Sequence, residues 1–217
     1  MLIAQFPPAA GIAGTTAIAK DSSIIINWAK TTIVERGEQN ISDDSLNFAE
    51  IGVPDFAIGL ANNQTVSLGD NGSAILTFNP PISDKAGADF AVFENGFPTQ
   101  GGYFLELAFV EVSSDGINFF RFDAISLTNN VVQLDNNAIM DATDIHNLAG
   151  KYRGQYGTPF DLDELDGTTG LDINSITHIK IIDVVGSINP LYATYDSQNR
   201  AINDPFPTPF GSSGFDL

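Results

Sequence analysis

The run Tyr103–Ser113 (YFLELAFVEVS) sends alternate side chains to opposite faces, and both faces are apolar. Leu105, Leu107 and Phe109 share one face, while Ala108, Val110 and Val112 share the other. Such a strand must be covered on both sides, which places it inside layered β structure. Ser114-Asp115-Gly116 follows and leads into Ile117–Phe122 (INFFRF). An Asp-Gly between two such runs marks a hairpin. Ile176–Val185 (ITHIKIIDVV) reads as another central strand. Its Thr177, Ile179, Ile181 and Asp183 fall on one face, and Ile176, His178, Lys180, Ile182 and Val184 on the other. Ile75–Phe78 and Asp89–Phe93 add two shorter strands. Helix is scarce: Ser22–Lys30 suits a short amphipathic helix or a strand, and Asp144–Tyr152 one or two turns with Asp144 as N-cap. The reading is an all-β fold with little helix and long loops.

A chain of 217 residues with 43% hydrophobic content and 16 Phe can bury a sizeable core, and the economical organisation is one domain, 1–217, with 1–20 as an extended N-terminal arm. The formal net charge of −18 repels phosphate backbones and anionic lipid, which argues against nucleic-acid partners and polybasic-style membrane binding. Divalent cations, basic partners and neutral glycans stay open. The absence of cysteine removes disulfide scaffolds, thiolate metal sites and thiol catalysis. No apolar run reaches 18 residues, so no membrane span is expected. Met1–Gln5 is too short for a signal peptide and reads as the tail of a trimmed one or a cloned start.

Nucleophilic catalysis has little support. His146 and His178 are the only histidines and read as structural, and there is no G-x-S-x-G elbow. Glu106 and Glu111 lie in an apolar run on opposite faces, so they cannot act as a pair from one strand, and at least one should be partnered. Glu94, at a strand end, and Asp161 are the carboxylates a glycoside-active enzyme would use. The run Asp161–Gly167 does not match an EF-hand, since its acids and glycine are out of register. The long segment 186–217 carries hard oxygen ligands, and Asp196, Asn199, Asp204 and Asp216 are the expected calcium ligands. Aromatics on loops, chiefly Tyr156, Tyr192, Tyr195 and Phe206, are the expected stacking faces for sugar rings.

Val110–Phe119 resembles the hairpin of discoidin-like, galactose-binding jelly rolls. A second resemblance runs through Ser67–Gly72, Asp89–Phe97, Asn147–Tyr152, Gly157–Leu162 and Gly214–Leu217. These strings are similar to exported and cell-surface proteins of Bacteroidetes, related to proteins with a PEP-type sorting tail. The resemblance implies a secreted or surface-held β domain and no particular activity. In that family Gly-Phe-Asp-Leu continues into a final strand, so the expectation is a trimmed C-terminus or a last strand supplied differently. Together these readings give a β-sandwich jelly roll, galactose-binding-like. The leading functional expectation is a non-catalytic exported binding domain for a glycan or surface polymer, with structural calcium. A glycoside-active enzyme and a structural or adhesive module without a small ligand are the alternatives.

Overall fold

The computed structural model describes residues 6–217, so Met1–Gln5, read above as a signal-peptide remnant, lie outside the described residues. The strands are β1 (Ile18–Ala19), β2 (Thr31–Glu35), β3 (Ser73–Ile82), β4 (Phe90–Val92), β5 (Phe97–Thr99), β6 (Gly102–Phe104), β7 (Ala108–Ser113), β8 (Phe120–Arg121), β9 (Ile125–Ser126), β10 (Ile145–His146), β11 (Tyr156–Phe160) and β12 (Ile176–Asp183). Among the described residues, helix is confined to 3-10 turns at Pro54–Ala57, Ala142–Asp144 and Leu162–Leu165. No helix there is long and apolar enough to cross a membrane.

A five-stranded antiparallel sheet in the order β2-β3-β12-β7-β8 faces a three-stranded sheet in the order β1-β11-β4. The main core fills the space between them. Leu76, Val110, Val112, Ile179 and Ile181 of the large sheet meet Val92 and Phe160 of the small one. Leu105, Leu107 and Phe109 build a second core on the opposite face with Ile145, Leu148, Val184 and Ile202. The alternation read from the sequence therefore divides the chain between two cores. The Asp-Gly hairpin also forms, with Glu111 opposite Arg121 and Val112 opposite Phe120.

Four local expectations are corrected. Tyr103–Ser113 is two strands, β6 and β7, separated at 105–107. There the Leu107 N–H donates to the Asp204 carboxylate at 2.9 Å, and the Leu107 carbonyl accepts from Val184 N–H at 3.0 Å. In β12 a register shift between Ile176 and His178 brings Ile176 into the same core as Ile179 and Ile181, because an extra residue in a strand reverses the faces beyond it. The expected turn at 144–152 falls earlier. Asp141 is its N-cap, accepting from Thr143 N–H at 2.9 Å, and Asp144 is its last residue. Ser22–Lys30 forms neither helix nor strand, and Ile24 and Ile26 stand exposed.

The segment 186–217 contains none of the named strands, yet much of it is buried. Asn203 is fully buried and ties the 129–134 loop to the C-terminal segment. Its Nδ2 donates to the carbonyls of Asn129 at 2.6 Å and Val132 at 2.8 Å, while its Oδ1 accepts from Leu134 N–H and Gln133 Nε2, each at 3.0 Å. Phe215 lies in the main core, and Leu217 exchanges backbone hydrogen bonds with Val66 at 2.9 and 3.1 Å. The Gly-Phe-Asp-Leu string thus runs antiparallel to residues 66–69. The N-terminal arm lies on the same body: β1 pairs with β11, and Phe6 stacks on His146 at 4.9 Å.

Candidate functional site

Between the two sheets the sandwich opens into a cleft of about 840 Å³. Leu76, Phe78, Ile179 and Ile181 reach it from the large sheet, and Phe90 and Val92 from the small one. These residues belong to the period-two runs that form the core, so the cleft is an unfilled part of the sandwich interior. Its wall carries Trp28, the chain's single tryptophan, 5.4 Å from the Phe93 ring and inclined by 43°. Asn62, Asn63, Gln64 and Gln155 add amides around it, and Lys20, Lys85 and Arg153 add cations.

Glu94, Asn95 and Asp216 also line this cleft. Glu94 lies just beyond β4, where the chain turns at Gly96. Its Oε2 accepts from Gly96 N–H at 2.6 Å, while its Oε1 is buried without a partner. A Cβ on Gly96 would come within 2.8 Å of both that carboxylate and the Phe104 carbonyl, so the turn requires glycine. Asp216 accepts from Ser67 Oγ and, at 2.8 Å, from Asn95 Nδ2. A second cavity of about 440 Å³, lined by Phe97, Phe104, Glu106 and Phe210 among others, shares Thr65, Asn95 and Asp216 with the first. Glu106 is only 6% exposed, lines this second cavity, and takes part in none of the side-chain hydrogen bonds among the described residues.

The junction is strongly acidic. Burial pushes both Glu94 and Glu106 well above the usual carboxylate range, against the pull of the Gly96 hydrogen bond on Glu94. The negative charges of Glu94, Asp216, Asp204 and Asp183 push Glu106 further. Burial raises Asp216 to about 6, opposed by its bonds from Ser67 and Asn95 and by the Arg36 charge. Behind the junction, burial lifts Asp183 and Asp204 well above the ordinary value and Asp70 to about 7. Arg36 spends its guanidinium donors on the backbone carbonyls of Ile51, Ser67 and Gly52.

The residues singled out in the sequence are distributed differently from the expectation. Tyr156, Tyr192, Tyr195 and Phe206 line neither cavity. Phe206 is buried and has no free face to offer a sugar, and the Tyr156 ring lies under the Arg153 guanidinium at 4.6 Å. Tyr195 alone of the four is substantially exposed. The aromatic wall of the cleft is built instead by Trp28, in a stretch without regular structure, and Phe93, at the end of the Asp89–Phe93 run. Of the expected calcium ligands, Asp196 staples its own loop. It accepts from the backbone N–H groups of Gln198 and Arg200, each at 2.9 Å, and of Ser126 at 3.2 Å. Asp204 serves Leu107, Asp216 serves Ser67 and Asn95, and Asn199 is an exposed turn residue with φ of 60°. Among the described residues, Asp196, Asp204 and Asp216 do not form a group whose ligand oxygens lie within 4.8 Å of one another. Among the described residues, the group of three acidic side chains whose ligand atoms lie within 4.8 Å of one another is Asp84, Asp161 and Asp163.

Asp161 lines neither cavity and caps the Leu162–Leu165 turn, so it does not share a cleft with Glu94. Glu111 is the partnered strand carboxylate, bonded to Arg121 at 2.8 Å, which leaves Glu106 as the unpartnered one. His178 accepts or donates to Thr177 Oγ1 at 2.8 Å within β12, and His146 packs against Phe6. No family model matches the chain, and neither a curated protein nor a solved structure matches it.

Proposed function

We propose that this chain is a non-catalytic binding domain, secreted or held at the cell surface, that takes a saccharide in the cleft between its sheets. The observation that carries this reading is the cleft itself: about 840 Å³, walled by Trp28 and Phe93 and bordered by amide side chains. Aromatic faces supply area for the apolar faces of a pyranose ring, and amides pair with its hydroxyls. A volume of this size is in the range of small-ligand pockets, which are mostly apolar with a few placed polar groups. The five-on-three sandwich has the strand number of a jelly roll, which supports the galactose-binding-like reading of the fold. Calcium belongs to the same reading, at Asp84, Asp161 and Asp163 rather than in the 186–217 segment. There the Asp84 Oδ1 is buried without a partner, and hard carboxylate oxygens suit that ion.

The single tryptophan makes the test direct. A glycan screen followed by titration of the hits should shift Trp28 emission on saturation, and Trp28→Ala should abolish binding while the fold, read by far-UV spectroscopy, persists. Saturable glycan binding that leaves Trp28 emission unchanged, or an empty screen, defeats the proposal.

A further inference from the structure

Six carboxyl groups gather behind and around the meeting of the two cavities: Asp70, Glu94, Glu106, Asp183, Asp204 and Asp216. Five of them receive hydrogen bonds from the protein. Asp70 takes Ile41 N–H, Asp183 takes Phe215 and Asn71, Asp204 takes Leu107, Glu94 takes Gly96, and Asp216 takes Ser67 and Asn95. Glu106 receives none among the described residues, although it is 6% exposed and lines a cavity. Glu94, which lines the first cavity, keeps its buried Oε1 unpartnered. A buried carboxylate without donors is costly, and the cost falls when a ligand brings donors and positive charge together. The junction carboxylates do not form a set of three oxygens within 4.8 Å of one another, so their spacing does not suit a single metal ion. An ammonium group with its three N–H donors can satisfy carboxylates that stand further apart.

We infer that the ligand of this domain is an amino sugar with a free ammonium group, held with its ring in the Trp28 cleft and its ammonium between Glu94 and Glu106. This inference rests on the saccharide reading above and names the ligand class. Asn95 and Asp216, shared by both cavities, lie on the path between ring and charge. An ammonium draws the buried carboxyls into their ionised form and pairs with them, which its neutral acetylated form cannot do.

The probes are a glucosamine oligosaccharide and the N-acetylglucosamine oligosaccharide of equal length, titrated at pH 7 and low salt with Trp28 emission as readout. The free amine is expected to bind at least about tenfold more tightly, with an affinity that falls as salt rises. Glu106→Gln, which replaces a carboxyl without protein donors by a neutral amide of the same shape and so retains the fold, is expected to bring the two probes to within about twofold of each other. Glu94→Gln is expected to act in the same direction. Equal affinity of the two probes for the unaltered chain overturns this inference and leaves the saccharide reading standing. Absence of binding by either probe, when another neutral glycan binds, also overturns it alone. Absence of binding by every glycan overturns both. Competition of calcium against the amine probe, relieved by chelator, assigns the junction to a metal and overturns the inference.

Discussion

The buried 183–216 region and the cavity junction use the same side-chain type under similar burial and treat it in opposite ways. In the first, Asp183 accepts from Phe215 N–H at 2.7 Å and Asn71 N–H at 3.0 Å, Asp196 accepts from three backbone groups, and Asn203 ties Asn129, Val132 and Leu134. These carboxylates and amides replace the ladder that irregular backbone lacks, since buried N–H and C=O groups must be paired somewhere. At the junction Glu106 does nothing of the kind. The difference teaches that burial of an acid in this chain has two meanings, separable by its donors. Oxygens filled by protein donors mark a staple, and a carboxyl oxygen left without a donor beside a cavity, as at Glu106 and on one side of Glu94, marks a place kept for a ligand.

Asn203→Ala should give the largest effect. It removes the four hydrogen bonds by which a fully buried amide holds the 129–134 loop, and at about 1 kcal/mol per bond the expected loss is about 3–4 kcal/mol in urea denaturation. A loss below about 1 kcal/mol would break the staple half of the comparison. Asp183→Ala removes the acceptor of two backbone groups and should cost about 2–3 kcal/mol, again read by denaturation. Glu106→Gln should have the opposite sign, a gain of about 1 kcal/mol at pH 7.5, because it removes a carboxyl that the folded chain can keep only by holding its proton. Equal and destabilising effects of Asp183→Ala and Glu106→Gln would erase the distinction drawn here.

The pH dependence sharpens the same point. Folding raises the proton affinity of Asp70 to about 7 and of Asp216 to about 6, and that of Glu94, Glu106, Asp183 and Asp204 by a large margin, chiefly through burial. The folded chain therefore holds more protons than the unfolded chain above the ordinary carboxylate range. Stability from these groups is fully present below their unfolded values, near 4, and is lost as pH rises through 6 and 7. Melting temperature should fall from pH 5 to pH 8, and the fall should be shallower in Glu106→Gln. A melting temperature that rises over this interval would contradict the burial of these acids. The smallest effect is expected from calcium. On ion-stripped protein, millimolar calcium should raise the melting temperature by a few degrees, with Asp84→Asn removing the shift and Asn199→Gly leaving it intact. The reverse pattern would return the ion to the 186–217 segment.

The fold was legible where the signal is local. Period-two alternation in Tyr103–Ser113 and Ile176–Val185, and Asp115-Gly116 between apolar runs, contain the central strands, their two faces and the hairpin. The bulge beside Thr177 and the break at Leu107 were not legible, because each is imposed by a partner distant in the chain, β3 in one case and Asp204 in the other. The site was legible only in pieces. Glu94, Glu106 and Asp216 each stand out, as a strand-end acid, an acid in an apolar run and an acid in a polar tail. Their meeting at one junction depends on the C-terminal segment returning to residues 66–69, which no local pattern announces. Trp28 lies in a stretch without regular structure, so periodicity gives no indication of its place in the cleft wall.

The position of β12 has a kinetic consequence. It is the last of the strands in chain order, and it lies at the centre of the large sheet, hydrogen-bonded to β3 on one side and β7 on the other. As the chain emerges from the ribosome, β2 and β3 can pair before β12 is made, and so can β7 and β8, but the two pairs have no common partner until residues 176–183 arrive. Until then the inner edges of β3 and β7 are open, and open edges recruit other strands. Closing them joins segments far apart in sequence, which places the chain among slow-folding, high-contact-order topologies, on the order of milliseconds to seconds. Nascent chains truncated before Ile176 are thus the forms of this protein that aggregate or engage chaperones.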